Sequence, residues 1–186
     1  MRIIGGNFKG KKISLPNDKF TRPLRDLVKE SIFNIIQHSY NNKFSIKGSK
    51  ILDIFSGTGS FGLECISRGA KKVVFIENYD KAIKILKKNI TNLDAGEQCK
   101  VIEDNCLEFF KIKKNLSLRF NLIFIDPPFK ETKFNDLINL IIENKILEKE
   151  GIIIIHRHKN DKIEITNKIK ILEERSYGIS KLIFGN

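Results

Sequence analysis

From residue 50 onward, short unbroken apolar runs alternate with longer segments whose apolar residues recur at helical spacing. The runs predict strands near residues 51–55, 72–77, 100–103, 121–126 and 151–155, and the helical spacing predicts helices near 59–69, 80–92, 105–111 and 133–146. Continuous rather than alternating apolar runs suit parallel strands covered on both faces, so the order reads as an α/β sandwich. Ile169-Lys-Ile-Leu172 and Lys181-Leu-Ile-Phe184 could close such a sheet as an antiparallel pair. Before residue 50 the pattern differs. Arg2-Ile-Ile-Gly-Gly6 and Lys11-Lys-Ile-Ser-Leu15 flank a glycine-bearing turn and predict a small hairpin with a basic tip. A helix follows Thr21-Arg-Pro-Leu-Arg25, with Val28, Ile32, Ile35 and Ile36 on one apolar face and Arg25, Lys29 and Glu30 elsewhere. Asn41-Asn42-Lys43 reads as the linker into the main sheet.

Composition narrows this to one domain over residues 1–186, since 186 residues with 41% hydrophobic content need only a single core. Residues 1–48 form an extension and 49–186 the core. No apolar run approaches the roughly 20 residues of a membrane-spanning helix, and no signal segment opens the chain. Cys65, Cys99 and Cys106 have no metal-ligand spacing and read as reduced thiols of a cytoplasmic protein, with no metal expected. None of the three histidines lies near a nucleophile motif, so triad hydrolysis has no support. The net charge of +12 favours a polyanionic partner such as nucleic acid. Residues 1–50 carry eleven Lys/Arg against three Asp/Glu, which places the basic face toward the N-terminal end.

Two motifs carry candidate chemistry. At the end of the fourth strand, Asp126-Pro127-Pro128-Phe129 brings a carboxylate, two stiff residues without N–H donors and an aromatic ring to one point. Such a turn suits a planar amine: a base with an exocyclic NH2 stacks on Phe129 and donates to Asp126 and the turn carbonyls. An ordinary strand-ending turn is the alternative. After the first strand, Ser56-Gly57-Thr58-Gly59-Ser60-Phe61-Gly62 makes a glycine loop leading into a helix, where the backbone can approach a ligand closely. Glu77, twenty residues beyond Gly57, suits a ribose diol. This spacing also fits a dinucleotide site. Asp53 argues against it, because a carboxylate there repels a pyrophosphate but attracts an ammonium. Together, Asp53, Glu77 and Asp126 are better suited to S-adenosylmethionine, which carries an ammonium and a sulfonium.

On these residues the chain resembles the Rossmann-like class I S-adenosylmethionine-dependent methyltransferases, and within them the RsmD family, which methylates the guanine 2-amino group of small-subunit (16S) ribosomal RNA. The resemblance spans nearly the whole chain: Arg2-Ile-Ile-Gly-Gly-Asn-Phe-Lys-Gly10, Thr21-Arg-Pro, Asp26-Leu-Val-Lys-Glu30-Ser-Ile-Phe-Asn34, the loop from Asp53 to Glu64, Ser67-Arg-Gly-Ala70 and Asp126-Pro-Pro-Phe129. It implies a mostly parallel seven-stranded sheet flanked by helices, with an N-terminal β-hairpin and helix extension. It also implies that Asp53, Gly57 and Gly59 hold the methionine part of S-adenosylmethionine, Glu77 the ribose, and Asn105 with the Cys106 backbone the adenine, with Asp104 a neighbouring candidate that depends on how the end of the third strand is aligned, the product being S-adenosylhomocysteine. Asp126, Pro127, Pro128 and Phe129 then take the target base. Arg2, Lys9, Lys11, Arg22 and Arg25 are expected to face ribosomal RNA, in an assembled or partly assembled small subunit, with the protein a monomer. Leu24 stands where the family usually has threonine and Lys29 where it usually has arginine. His156-Arg157-His158 also departs from the family pattern and reads as a solvated strand end or an extra RNA contact.

Three other functions fit parts of the pattern. A DNA adenine-N6 or cytosine-N4 methyltransferase shares the Asp-Pro-Pro-Phe turn, although 186 residues leave no room for a separate target-recognition domain. A nicotinamide-dependent oxidoreductase is disfavoured by Asp53. A non-catalytic RNA-binding module would keep the fold without the activity.

Overall fold

A computed structural model describes residues 1–18, 24–39, 44–112, 118–128, 131–161 and 169–186. Its seven strands are β1 (Lys50–Ile54), β2 (Lys72–Glu77), β3 (Cys99–Glu103), β4 (Phe120–Ile125), β5 (Leu147–His158), β6 (Ile171–Tyr177) and β7 (Ser180–Gly185). They form one sheet in the order β3-β2-β1-β4-β5-β7-β6. The first five pair in parallel and β7 runs antiparallel between β5 and β6, as the apolar pattern predicted, although β6 begins at Ile171 and continues through the polar Glu173–Ser176 stretch to Tyr177 instead of occupying 169–172. The helices are α1 (Asp26–Ser39), α2 (Ser60–Ser67), α3 (Asp80–Asn92), α4 (Cys106–Ile112) and α5 (Phe134–Glu143). The predicted linker at residues 41–43 lies outside the described residues.

Burial on both faces explains the unbroken apolar runs. Successive side chains point to opposite faces of a strand, so each run feeds two cores. Ile51, Val73, Phe75, Leu122, Phe124, Ile152 and Ile154 pack under α1, α2 and α3 together with Ile3 and Ile13 of the N-terminal segment. Leu52, Ile54, Val74, Ile76, Ile123, Ile125, Ile153 and Ile155 pack under α4 and α5.

β5 runs further than the apolar pattern predicted, because antiparallel pairing with β7 continues through His156, Arg157 and His158 after the pairing with β4 has stopped at Ile155. The expected solvated strand end is therefore incorrect at its first two residues: His156 and Arg157 are buried.

The N-terminal hairpin is reduced to one antiparallel bridge, Arg2 with Lys12, supported by bonds from Ile3 N to the Lys11 carbonyl and from Ile13 N to the Met1 carbonyl. The reason is competition for its N–H groups. Ile4 N and Gly5 N donate to the two oxygens of Glu64, each at 2.8 Å, while Asn7 N and Phe8 N donate to the carbonyl and hydroxyl of Ser67. The segment is thus laced to α2 as well as to itself. Gly6, at φ 72°, lies so close to the Ser67 carbonyl that a Cβ there would sit 1.9 Å from its oxygen.

Glu64 also receives Arg68 Nε at 2.9 Å and faces Lys29 Nζ at 3.6 Å. Lys29, expected on the polar side of its helix, is fully buried and donates to the Arg2 carbonyl at 2.7 Å. Burial holds its ammonium below the usual lysine range, with Glu64 and Asp26 opposing that shift. One inward cation and one inward carboxylate therefore join α1, α2 and the N-terminal segment. Removing one member of a buried pair strands the other, at a cost of about 3–5 kcal/mol. Glu64→Ala is accordingly expected to lose about that much unfolding free energy, read by urea denaturation, whereas exposed Lys87, paired with exposed Glu103, should tolerate alanine with a loss under about 1 kcal/mol.

Candidate active site

The two motifs meet because neighbouring strands keep the same parity. Asp53 on β1 is level with Phe75 on β2 and Phe124 on β4, and Phe124 is level with Ile154 on β5. Two residues further along, on the same face, come Glu77, Asp126 and His156. β1 stops short of them: Phe55 turns off the strand with a positive φ of 59°, an uncommon backbone for a bulky side chain. The early exit leaves a notch above Asp53, between Glu77 and Asp126. It opens into a cleft of about 510 Å3, within the range of small-molecule sites.

Asp53, Ser56, Gly57, Thr58, Glu77, Asn78, Tyr79, Asn105, Asp126, Pro127 and Pro128 are among the lining residues. Phe61 and Phe124 stack at 4.0 Å between centroids to form an apolar wall, extended behind by Phe33, and Leu24 adds to the lining. The leucine thus puts a hydrocarbon surface where the family resemblance expects a hydroxyl.

Each acid is held differently. Asp53 Oδ2 accepts from Gly62 N at 2.9 Å, and no bond among the described residues occupies Oδ1. Burial pushes this carboxyl well above its usual range, and the charges of Asp126 and Glu77 push it further, against the Gly62 bond. Glu77 fastens the glycine loop to β2: Oε2 accepts from Gly57 N at 2.7 Å, and Oε1 from Asn78 N and Tyr79 N at 2.9 Å each. Asp126 Oδ1 lies 2.8 Å from His156 Nδ1.

Behind the turn, Arg157 points to the opposite face of β5. Its guanidinium donates to the carbonyls of Pro128 and Glu131, at 3.3 and 3.4 Å, and stacks 5.2 Å from the Phe134 ring. Nε lies 2.8 Å from Asp161 Oδ2. Glu131 N also donates to the Pro128 carbonyl, at 2.9 Å, so that carbonyl is committed, whereas the Pro127 carbonyl has no partner among the described residues.

Not every predicted residue joins the cleft. Gly59 shapes the loop without lining it, its φ of 82° being natural only to glycine, and a Cβ there would meet Leu86 at 2.4 Å. Asn105 lines the wall while its Oδ1 caps α4 through Leu107 N. Cys106 is not among the lining residues; its thiol is buried, which pushes it up to about 12. Arg2, Lys9, Lys11 and Arg25 are exposed. Arg25 adjoins Leu24 at the cleft, but Lys9 and Lys11 flank the turn fastened to Ser67, one helix length from Ser60 at the cleft end of α2. Arg22 and Phe129 lie outside the described residues. No group of three or more potential metal ligands occurs among the described residues, and no described helix is long and apolar enough to cross a membrane.

A 3-2-1-4-5-7-6 sheet with a glycine loop after β1, an acid ending β2 and an Asp-Pro-Pro turn after β4 defines the Rossmann-like methyltransferase fold. A solved Escherichia coli structure, yhhF, provisionally described as a methyltransferase, superposes with a TM-score of 0.85 and 29% identity, covering 100% of this chain and 96% of that one. The family described as Conserved hypothetical protein 95 matches residues 1–186. Ribosomal RNA small subunit methyltransferase D of Haemophilus influenzae is 35% identical over 96% of this chain and 90% of its own length, and its Escherichia coli K12 counterpart is 35% identical over 83% and 73%. The chain belongs to this family, the RsmD family.

The Arg157 clamp is expected to set the order of the turn. Arg157→Ala should speed hydrogen exchange at the Glu131 amide by about tenfold or more and cost about 2 kcal/mol of stability, read by exchange mass spectrometry and denaturation.

Proposed function

We propose that this protein transfers a methyl group from S-adenosylmethionine to the exocyclic N2 amine of a guanine in small-subunit ribosomal RNA. The observation that carries the reading is the placement of Asp53, Glu77 and Asp126 on one sheet face around a single cleft, in a chain of net charge +12. Family membership supports ribosomal RNA as the substrate class, and the turn chemistry supports an amine as the acceptor.

The residues fit the cofactor by charge. Asp53 is destabilised as a buried carboxylate, and an ammonium against Oδ1 relieves it. Glu77 keeps acceptor capacity on Oε2 for a ribose hydroxyl, because each carboxylate oxygen has two lone pairs. Asn105 stands where an adenine edge would lie. When bound, S-adenosylmethionine supplies an electrophilic methyl group on a cationic sulfur.

Asp126 and the Pro127 carbonyl act on the acceptor. An aromatic amine has its lone pair delocalised into the ring, and accepting both N–H bonds from fixed directions favours a nitrogen geometry with the lone pair aimed at the methyl carbon. Held so, the amine would take the methyl group in line and without a covalent enzyme intermediate, S-adenosylhomocysteine being the leaving group and the surplus proton of the nitrogen passing to the Asp126 carboxylate that already accepts it. A nucleotide must leave its stack to reach the cleft; stacking on Phe129 would offset about 1–3 kcal/mol of that cost. Arg2 and Arg25 would take backbone phosphates near the cleft, Lys9 and Lys11 more distant ones, and Arg22, outside the described residues, a further one, with the protein acting as a cytoplasmic monomer on an assembled or partly assembled subunit.

The direct test is transfer from labelled S-adenosylmethionine to unmodified small subunits, naked small-subunit RNA and DNA in parallel. N2-methylguanosine from RNA is expected; methyladenine or methylcytosine in DNA would replace this reading with the DNA enzyme. Asp126→Ala should reduce transfer by at least about a hundredfold while keeping S-adenosylhomocysteine affinity within a few fold. Asp53→Asn retains an acceptor for Gly62 N–H but removes the buried charge. It should weaken cofactor binding about tenfold or more and leave the ligand-free protein no less stable at neutral pH. Because the folded carboxyl is raised, the stability that Asp53 contributes is present below its unfolded value and lost as pH rises. The advantage of the variant should therefore shrink as pH falls toward about 4, seen in paired denaturation curves.

A further inference from the structure

The reading above uses Asp126 but not the buried imidazole beside it. His156 is 3% exposed, and its Nδ1 lies 2.8 Å from Asp126 Oδ1, with side-chain exposures of 4% and 16% for the pair. Its other nitrogen, Nε2, is buried and has no hydrogen-bond partner among the described residues.

With the proposed reaction, these facts assign the tautomer of the ring. To accept an N–H from a target amine, Asp126 must act as an acceptor only, so the hydrogen shared by the pair belongs to Nδ1. Nε2, buried and without a partner among the described residues, is then the bare nitrogen, since burying an unpaired N–H there would cost more.

The geometry points to His156 as the positioning residue of the active-site carboxylate: its Nδ1–H binds Asp126 Oδ1, fixes the rotation of the carboxylate and leaves Oδ2 as the oxygen with no bond among the described residues, aimed at the target amine. This rests on the methyl-transfer reading given above. Rotation about the terminal bond of an aspartate is broad, so a carboxylate at the edge of a cleft has no fixed acceptor direction of its own. The register that sets His156 level with Asp126 supplies it, continuing the Phe124–Ile154 and Ile125–Ile155 pairs. Because β7 pairs with β5 through His156, the imidazole is carried on a strand bonded on its far side rather than on a loop. With Oδ1 already accepting from His156 and the Pro128 carbonyl held by Arg157 and Glu131 N, Oδ2 and the Pro127 carbonyl are acceptors without a bond among the described residues and can take the two N–H bonds of one amine.

The test compares the full-length wild type, His156→Leu and His156→Asn. Asparagine carries its amide nitrogen one bond from Cγ, as histidine carries Nδ1, and can restore the donor without the ring. His156→Leu is expected to lower kcat on small subunits about 10- to 100-fold while S-adenosylhomocysteine affinity stays within about threefold, and His156→Asn to recover kcat to within about fivefold of wild type. Long-range proton–nitrogen spectra of the wild type should show a neutral ring protonated at Nδ1, a readout that needs no variant to fold. Wild-type kcat in the leucine variant, equal loss in both variants, or a proton on Nε2 would each overturn the inference while leaving the proposed function standing. No transfer by the wild type to any small-subunit RNA would instead overturn the function, and this inference with it.

Discussion

Side chains alternate across a strand with a period of two, and the cleft depends on four parallel strands keeping that parity. Asp53, Glu77, Asp126 and His156 converge because β2, β1, β4 and β5 are in register across Asp53, Phe75, Phe124 and Ile154. A slip of one residue in β4 would send Asp126 toward α4 and α5 and bring Ile125 to the cleft. The two apolar cores guard against that slip, since each strand presents large side chains to both faces and a carboxylate shifted onto the wrong face would lie among apolar side chains without a partner.

A second constraint holds the rim. The carboxylate of Glu64 gathers two backbone N–H groups of the N-terminal segment, the side chain of Arg68 and the ammonium of Lys29. The start of the same helix, α2, borders the cleft at Ser60, and the Met1 sulfur lies 3.2 Å from the Ser60 hydroxyl. The N-terminal segment is therefore fastened to the element that carries the glycine loop. Asp53 is part of the same assembly, since its bond to Gly62 N ties β1 to α2, and Gly62 itself packs so closely that an added Cβ would lie 2.3 Å from the Phe75 ring.

Much of this was legible in the sequence. Unbroken apolar runs are a direct signature of doubly covered parallel strands, and strands, helices and the three acids fall where that pattern puts them. Lys29 was misjudged because helical spacing reports which face is apolar, whereas the buried partner that lets a cation enter that face, Glu64, is 35 residues away in the chain. His156 and Arg157 were misjudged because their polarity suggested a strand end, whereas β7 carries β5 three residues past its pairing with β4. A usable signal was present: Ile125-Asp126 and Ile155-His156 both end apolar runs, and aligning the two ends sets the polar residues side by side. The basic hairpin tip was legible as exposed charge but not as to position, which follows from the bonds to Ser67 at the far end of α2.

On the function proposed above, the contrast between an acidic cleft and a basic chain would make the molecule an electrostatic filter. A polyanion would be drawn toward the surface by a net charge of +12, but its phosphates would meet the side chains of Asp53, Glu77, Asp126 and Glu131 at the cleft and gain nothing by entering. What passes most easily is the uncharged part of a nucleotide, separated from its phosphate by the length of the sugar. The same sign rule that would admit a cationic ligand would thus keep the backbone outside, and the depth to which a strand could penetrate would be limited by charge as well as by shape.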